Sequence, residues 1–174
     1  MAETGILIAY FSHPGQNYVN GDIVELEVGN TEVAAKKLAA ITGARLVRIE
    51  QAQNYPEDYH ELTEVAKKEL KAGARPPLKN ALPDMIDVSY LFLGYPNWWG
   101  TMPMPVWTFL EAVDTAGIKI APFCTNEGSG MGRSEKDLRA LCPQAEICAG
   151  LPIIGHRVAD SDAALRAWAA GILR

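Results

Sequence analysis

The 174-residue chain has only three cysteines, Cys124, Cys142 and Cys148, and no CxxC pair. An odd number without that spacing indicates neither a disulfide framework nor a zinc site, and a reducing, cytoplasmic setting is expected. The three histidines, at 13, 60 and 156, have no ligand-like spacing, so no metal site is expected. Long apolar runs are missing: none approaches the roughly 20 residues that span a bilayer. Met1–Thr4 carry no basic stretch ahead of the apolar run at 6–11, which argues against a signal peptide. A basic excess is missing too. Sixteen Lys and Arg stand against 21 Asp and Glu, a net charge of −5, which argues against general nucleic-acid binding.

Three catalytic signatures are also absent. No Gly-Lys-Ser/Thr follows the first apolar run, so a nucleoside triphosphate is disfavoured. Glycines at 128, 130 and 132 do not make GxGxxG, because position 133 is Arg133 and the segment follows a fourth strand rather than a first. A nucleophile elbow at Ser129 fails because Glu127 stands where that motif needs glycine.

What is present is a rhythm. The hydrophobic fraction of 48% suffices for one core, and no repeat or linker divides the chain, so 1–174 reads as a single domain. A continuous apolar run at 6–11 predicts a strand buried on both faces, and 46–49, 88–94 and 118–124 predict three more strands. A fifth strand lies within 145–154, interrupted by Gly150 and Pro152. Between them fall helices: one opened by Asn30-Thr31-Glu32 and stopped by Gly43, one over 57–72 stopped by Gly73, and one with Val106, Phe109, Leu110 and Val113 on one face. A fourth starts where Ser134 and Asp137 resemble a capping box, and a last carries Leu165, Trp168, Ala169 and Ile172. The alternation predicts an α/β fold, a doubly wound five-stranded parallel sheet with helices on both faces.

One loop breaks the rhythm. Residues 12–29 far exceed the roughly 2–6 residues usual between a strand and its helix. Asn20-Gly21 with alternating Val24, Leu26 and Val28 predicts an inserted β-hairpin, either a tolerated excursion or a cover for a ligand site.

Ligands of open α/β sheets sit beyond the carboxyl ends of the strands. After the first strand, Ser12, His13, Gly15 and Asn17 lead to Asn30-Thr31 at a helix start, a set of hydroxyls, amides and N–H groups suited to a phosphate monoester. For Asn30 and Thr31 alone, plain helix capping accounts as well. After the third strand, Pro96-Asn97-Trp98-Trp99-Gly100 places two adjacent tryptophans in a loop, which points to stacking on a flat aromatic partner. After the fourth, Thr125, Glu127, Gly128 and Gly130 either let backbone approach a ring edge or make a flexible turn.

The Ile-Ala-Tyr-Phe-Ser run into Gly-Asn-Thr-Glu, the Tyr-Pro-Asn-Trp-Trp-Gly loop with Met-Pro-Met-Pro-Val, and the Gly-Ser-Gly loop resemble the flavodoxin family in order over nearly the whole chain. The resemblance implies a strand order of 2-1-3-4-5 and one non-covalent FMN. It implies phosphate contacts from Ser12, Asn30 and Thr31, with His13, Gly15 and Asn17 beside them. Pro96, Asn97, Trp98, Trp99 and Gly100 fall against the isoalloxazine, and Thr125, Glu127, Gly128 and Gly130 along its pyrimidine side. Against the family pattern stand the hairpin and the lack of a tyrosine in the Gly-rich loop, which leaves the outer flavin face open. The implied function is electron transfer to a redox partner protein. The alternative is an NAD(P)H-dependent FMN oxidoreductase that reduces quinones or similar small acceptors.

Overall fold

The computed structural model describes residues 5–174; Met1–Thr4, read above for the absence of a leader, lie outside them. The first strand, β1 (Ile6–Tyr10), is buried along its whole length. A two-stranded ribbon follows, β2 (Gly15–Val19) and β3 (Asp22–Leu26), then α1 (Asn30–Thr42), β4 (Arg45–Arg48) and α2 (Tyr59–Ala72). β5 (Tyr90–Pro96), α3 (Met104–Ala112), β6 (Lys119–Asn126) and α4 (Ser134–Leu141) continue the alternation. The chain closes with β7 (Glu146–Ile147), β8 (Leu151–Ile154), a 3-10 turn over Gly155–Asp160 and α5 (Asp162–Ile172).

The main sheet is parallel and runs β4-β1-β5-β6, with β7 and β8 both paired to the far side of β6. Counting β7 and β8 as one place, the order is the expected 2-1-3-4-5, but the sheet has six strands rather than five. β7 pairs with Lys119 and Ile120, and β8 with 123–126, so the chain leaves the ladder at Cys148-Ala149-Gly150 and rejoins it. Pro152 in β8 is tolerated because this strand is an edge, where a missing N–H removes no ladder bond on the outer side.

Successive strand residues point to opposite faces, so each apolar run serves two cores. Leu7, Ala9, Leu91, Leu93, Tyr95 and Ile120 pack with Val106, Phe109 and Leu110 of α3 and Leu138 of α4. Ile6, Ile8, Phe92, Ala121 and Phe123 pack on the other face with Ala34, Ala35 and Leu38 of α1 and Leu165 and Ala169 of α5. Each such Leu, Ile, Val or Phe side chain contributes about 1.5–3 kcal/mol by leaving water. Among the described residues no helix is long and apolar enough to cross a membrane.

The helix boundaries show where local chemistry was misread. Gly43 and Gly73 end α1 and α2 in left-handed conformation, as expected. α2 starts two residues later than predicted, because the Asp58 carboxylate accepts from the Glu61 N–H at 3.0 Å and caps it. The Ser134–Asp137 capping box does not form. Ser134 is already helical, and its hydroxyl donates to Met131 O and accepts from Tyr95 Oη at 2.8 Å. Asp137 accepts instead from Thr101 Oγ1 and Arg133 Nε.

Candidate functional site

The carboxyl ends of β1, β5 and β6 and the amino end of α1 meet around a cleft of about 350 Å³. Of the residues singled out from sequence, Ser12, His13, Asn17, Asn30, Thr31, Pro96, Asn97, Trp98, Thr125 and Glu127 line it. Gly15, Trp99, Gly100, Gly128 and Gly130 do not.

The polar end forms around α1. Its cap position is Gly29, which has no side chain, and Asn30 and Thr31 are the first helical residues rather than caps. Capping comes from outside: Ser12 Oγ, just past β1, accepts from the Glu32 N–H at 3.0 Å. Thr31 and Thr125 join their hydroxyls at 2.7 Å across the buried floor. The positive end of the helix dipole is therefore set beside hydroxyls at one end of the cleft. Behind it, Arg48 pairs with the Glu32 carboxylate and donates to Ser12 O at 3.2 Å. Tyr10 Oη donates to the same carboxylate at 3.1 Å, so the one acid in the first turn of α1 is matched. Burial, and then the Arg48 charge, hold the His13 imidazole below its usual pKa.

The aromatic wall forms on a tight turn. Trp98 and Thr101 exchange backbone hydrogen bonds at 3.0 and 3.3 Å, and Trp99 and Gly100 both have positive φ, 57° and 85°. Such a turn sends the two indoles apart. Trp98 packs edge-on against Phe11 and Tyr55, each with ring centres at 5.2 Å, and against His13 at 6.0 Å. Trp99 turns away from the cleft, donates its indole N–H to Thr63 O of α2 at 2.9 Å, and lies under the Lys67 ammonium. Asn97 ties this loop to the Gly-rich one: its N–H donates to Thr125 O at 2.9 Å and its Nδ2 to Gly130 O at 3.0 Å. Asn97 Oδ1 also accepts from the Gly100 N–H at 2.9 Å. Gly100 and Gly130 thus shape the wall through backbone atoms without bordering the cleft.

At the third loop, His156 and Glu127 pair through Nδ1 and Oε2 at 2.7 Å. Glu127 Oε1 is buried with no hydrogen-bond partner, which leaves an acceptor facing a group the protein does not supply. Asn126 Oδ1 accepts from the Gly128 N–H at 2.9 Å and fixes the start of the turn.

The lining also includes Tyr18, Tyr59, Asn126, Ser129 and Gly155, which the sequence motifs do not single out as binding residues. Two tyrosines, Tyr18 of the hairpin and Tyr59 of α2, border the cleft, although the Gly-rich loop has none. The hairpin is thus a wall of the cleft. Gln16 Oε1 accepts from the Tyr59 N–H at 2.7 Å, and Asn17 Nδ2 donates to His13 O at 2.9 Å, seating it. Its turn, Asn20-Gly21, has the two positive φ values that the sequence pair predicts, 49° and 92°. Asn126 and Ser129 could have been found, since they sit inside the loop already selected. Gly155 follows the split fifth strand, and no motif marks it.

The family model for flavodoxin matches residues 5–172. The chain belongs to the flavodoxin family. A protein of Bacteroides eggerthii, described as a candidate flavoprotein, is 28% identical, with 99% of each chain covered and a TM-score of 0.77. Its counterpart from Bacteroides uniformis is 25% identical over 96% of this chain and 98% of that one, TM-score 0.76. A flavoprotein from Lactobacillus acidophilus, solved in complex with FMN, shares the fold at 16% identity, covering 91% and 98%, TM-score 0.67. None of the curated proteins matches by sequence. Within this flavodoxin-family chain, the ribbon of β2 and β3 pairs only with itself, and the main sheet is complete without it.

Proposed function

We propose that the cleft holds one non-covalent FMN and that the protein passes electrons through it to a redox partner protein. The carrying observation is the pairing, in one cleft, of a hydroxyl-lined helix amino end with a wall built on Trp98. The donor set fits the group. Ser12, Asn30, Thr31 and Thr125 offer hydroxyls, an amide and helix N–H groups to a phosphate, as in other helix-terminus anion sites. Trp98, braced edge-on by Phe11 and Tyr55, offers a flat surface to the ring system. The orphaned Glu127 Oε1 asks for a hydrogen-bond donor, which the flavin imide N–H or a ribityl hydroxyl provides. His13, Asn17, Pro96 and Asn97 complete the lining, and Gly15, Gly100, Gly128 and Gly130 hold the loops in shape. Membership of the flavodoxin family and the FMN complex of the Lactobacillus acidophilus protein support this reading.

When bound, FMN supplies the redox chemistry, taking up and releasing one or two electrons. The protein binds it, limits water through the hairpin and Tyr59, and sets the local field. Glu127 places negative charge in the wall and disfavours extra negative charge there.

A second reading is favoured by one observation. A smaller pocket of about 90 Å³ shares His13, Asn17, Tyr59, Asn97 and Trp98 with the cleft and is walled further by Leu62, Ala66 and Trp99. Such a space suits a small flat acceptor, as in an NAD(P)H-dependent quinone reductase. The visible spectrum decides. Flavin bands and quenched indole fluorescence on adding FMN support the site. Bleaching by NADPH without air favours the reductase, and inertness favours the carrier. A protein that ignores FMN overturns both.

A further inference from the structure

Tyr55 lies outside the cleft lining, yet its ring touches Trp98, which is inside it. The two ring centres are 5.2 Å apart and nearly perpendicular, at 83°. On its far side, Tyr55 Oη donates to Glu69 Oε1 of α2 at 2.6 Å. Tyr55 and Glu69 both border a second cleft, of about 540 Å³, that opens to solvent and is lined also by Gln51, Asn54 and Arg75. A continuous path thus runs from the first cleft through an indole and a phenol to a carboxylate at the second.

We propose that Trp98, Tyr55 and Glu69 form an oxidation relay that carries an electron hole out of the cleft and parks it on Tyr55. A phenol in a protein gives up an electron readily only if its proton has somewhere to go. The short hydrogen bond to Glu69 supplies that acceptor in advance, and burial, which raises the proton affinity of Glu69, makes it a better base. The step balances as follows. A small oxidising radical of the azidyl or hydroxyl class takes an electron from Trp98, whose indole proton leaves to water. The indole then regains an electron from Tyr55 and a proton from water, while the phenolic proton passes to Glu69. The products are the reduced oxidant, a tyrosyl radical and a protonated Glu69.

Other tyrosines near the cleft are less suited. The Tyr59 hydroxyl has no acceptor among the described side chains, although the residue borders the same cleft. Tyr10 does face a carboxylate, Glu32, but Arg48 and Lys36 already neutralise it, which weakens it as a base. Phe11 sits against both Trp98 and Tyr55 and has no proton to lose, so it packs the relay without joining it.

The relay belongs to the chain alone, so its test needs no cofactor and stands apart from the FMN reading. Azidyl radicals from pulse radiolysis oxidise tryptophan selectively, and the decay of tryptophanyl absorbance into tyrosyl absorbance is then followed in time. The wild-type protein is expected to show a concentration-independent transfer that Trp98→Phe and Tyr55→Phe both abolish. Glu69→Gln keeps the hydrogen bond to a weaker base and is expected to slow the transfer by about tenfold or more. Circular dichroism of each variant separates misfolding from loss of the route. Transfer that persists in Tyr55→Phe, or that vanishes in Tyr59→Phe instead, overturns the proposal. An unchanged rate in Glu69→Gln overturns the role of Glu69.

Discussion

Ser12 and Gly29 stand so close that a β-carbon on Gly29 would collide with the Ser12 hydroxyl and lie 2.8 Å from His13 O. The absence of a side chain at the cap position of α1 is therefore what admits the cap supplied by Ser12. Gly29→Ala is expected to push Ser12 off the helix and cost about 1–3 kcal/mol. Ser12→Ala is expected to lose about 0.5–2 kcal/mol through the missing cap alone. Both should weaken FMN binding. Urea denaturation and FMN titration check this, and full affinity in Gly29→Ala would refute the link.

The two adjacent tryptophans point in different directions, Trp98 into the cleft and Trp99 toward α2. Trp98→Ala is expected to weaken FMN binding by about tenfold to a hundredfold, the range set by aromatic stacking of a planar ring. Trp99→Ala, whose indole is 46% exposed and turned to α2, should change affinity by less than about threefold. Equal losses in the two variants would count against the assignment of the wall to Trp98.

Glu127→Gln removes the charge but keeps the shape. The midpoint potential of bound FMN is expected to rise by roughly 20–60 mV, since an acidic neighbour opposes negative charge on the reduced ring. Potentiometric titration measures it, and an unchanged value would argue that Glu127 faces away from the ring.

His13 ties stability to pH. Its imidazole is held below the usual value of 6.5, first by burial and then by Arg48. The unfolded chain therefore takes up a proton at higher pH than the folded chain does. Stability contributed by the neutral imidazole is complete above about pH 6.5 and falls as pH drops toward the folded-state value. His13→Gln is expected to flatten that acid slope in denaturant melts. A slope identical to that of the parent would place the titration elsewhere.

The parts legible in the sequence are those governed by neighbours in the chain. The run 6–11 identifies a central strand because burial on two faces leaves no room for polar residues. Asn20-Gly21 locates the hairpin because its two positive φ values admit few other pairs. The parts that were not legible depend on partners far along the chain. Ser12 caps a helix twenty positions away, and Ser134 gives up its cap role to bond Tyr95, 39 positions back. Trp98 and Trp99 look alike as letters, and only the sign of φ at Trp99 separates their directions. Glu127 was selected for its loop, but His156, which holds it, comes from a turn beyond the split strand with no motif to mark it.

The ribbon of β2 and β3 pairs with nothing in the main sheet, and two strands alone are marginally stable in water. It is seated by a few polar ties, of which Gln16 to Tyr59 is one, and it shows Ile23 and Val24 to solvent. One side of the cleft is thus built on a ribbon that the main sheet does not support. The measured affinity for any occupant is its intrinsic affinity scaled by the fraction of time the ribbon is in place. By the same linkage, an occupant lengthens that time, so amide exchange in 15–26 should slow on binding while the buried strands stay as they were.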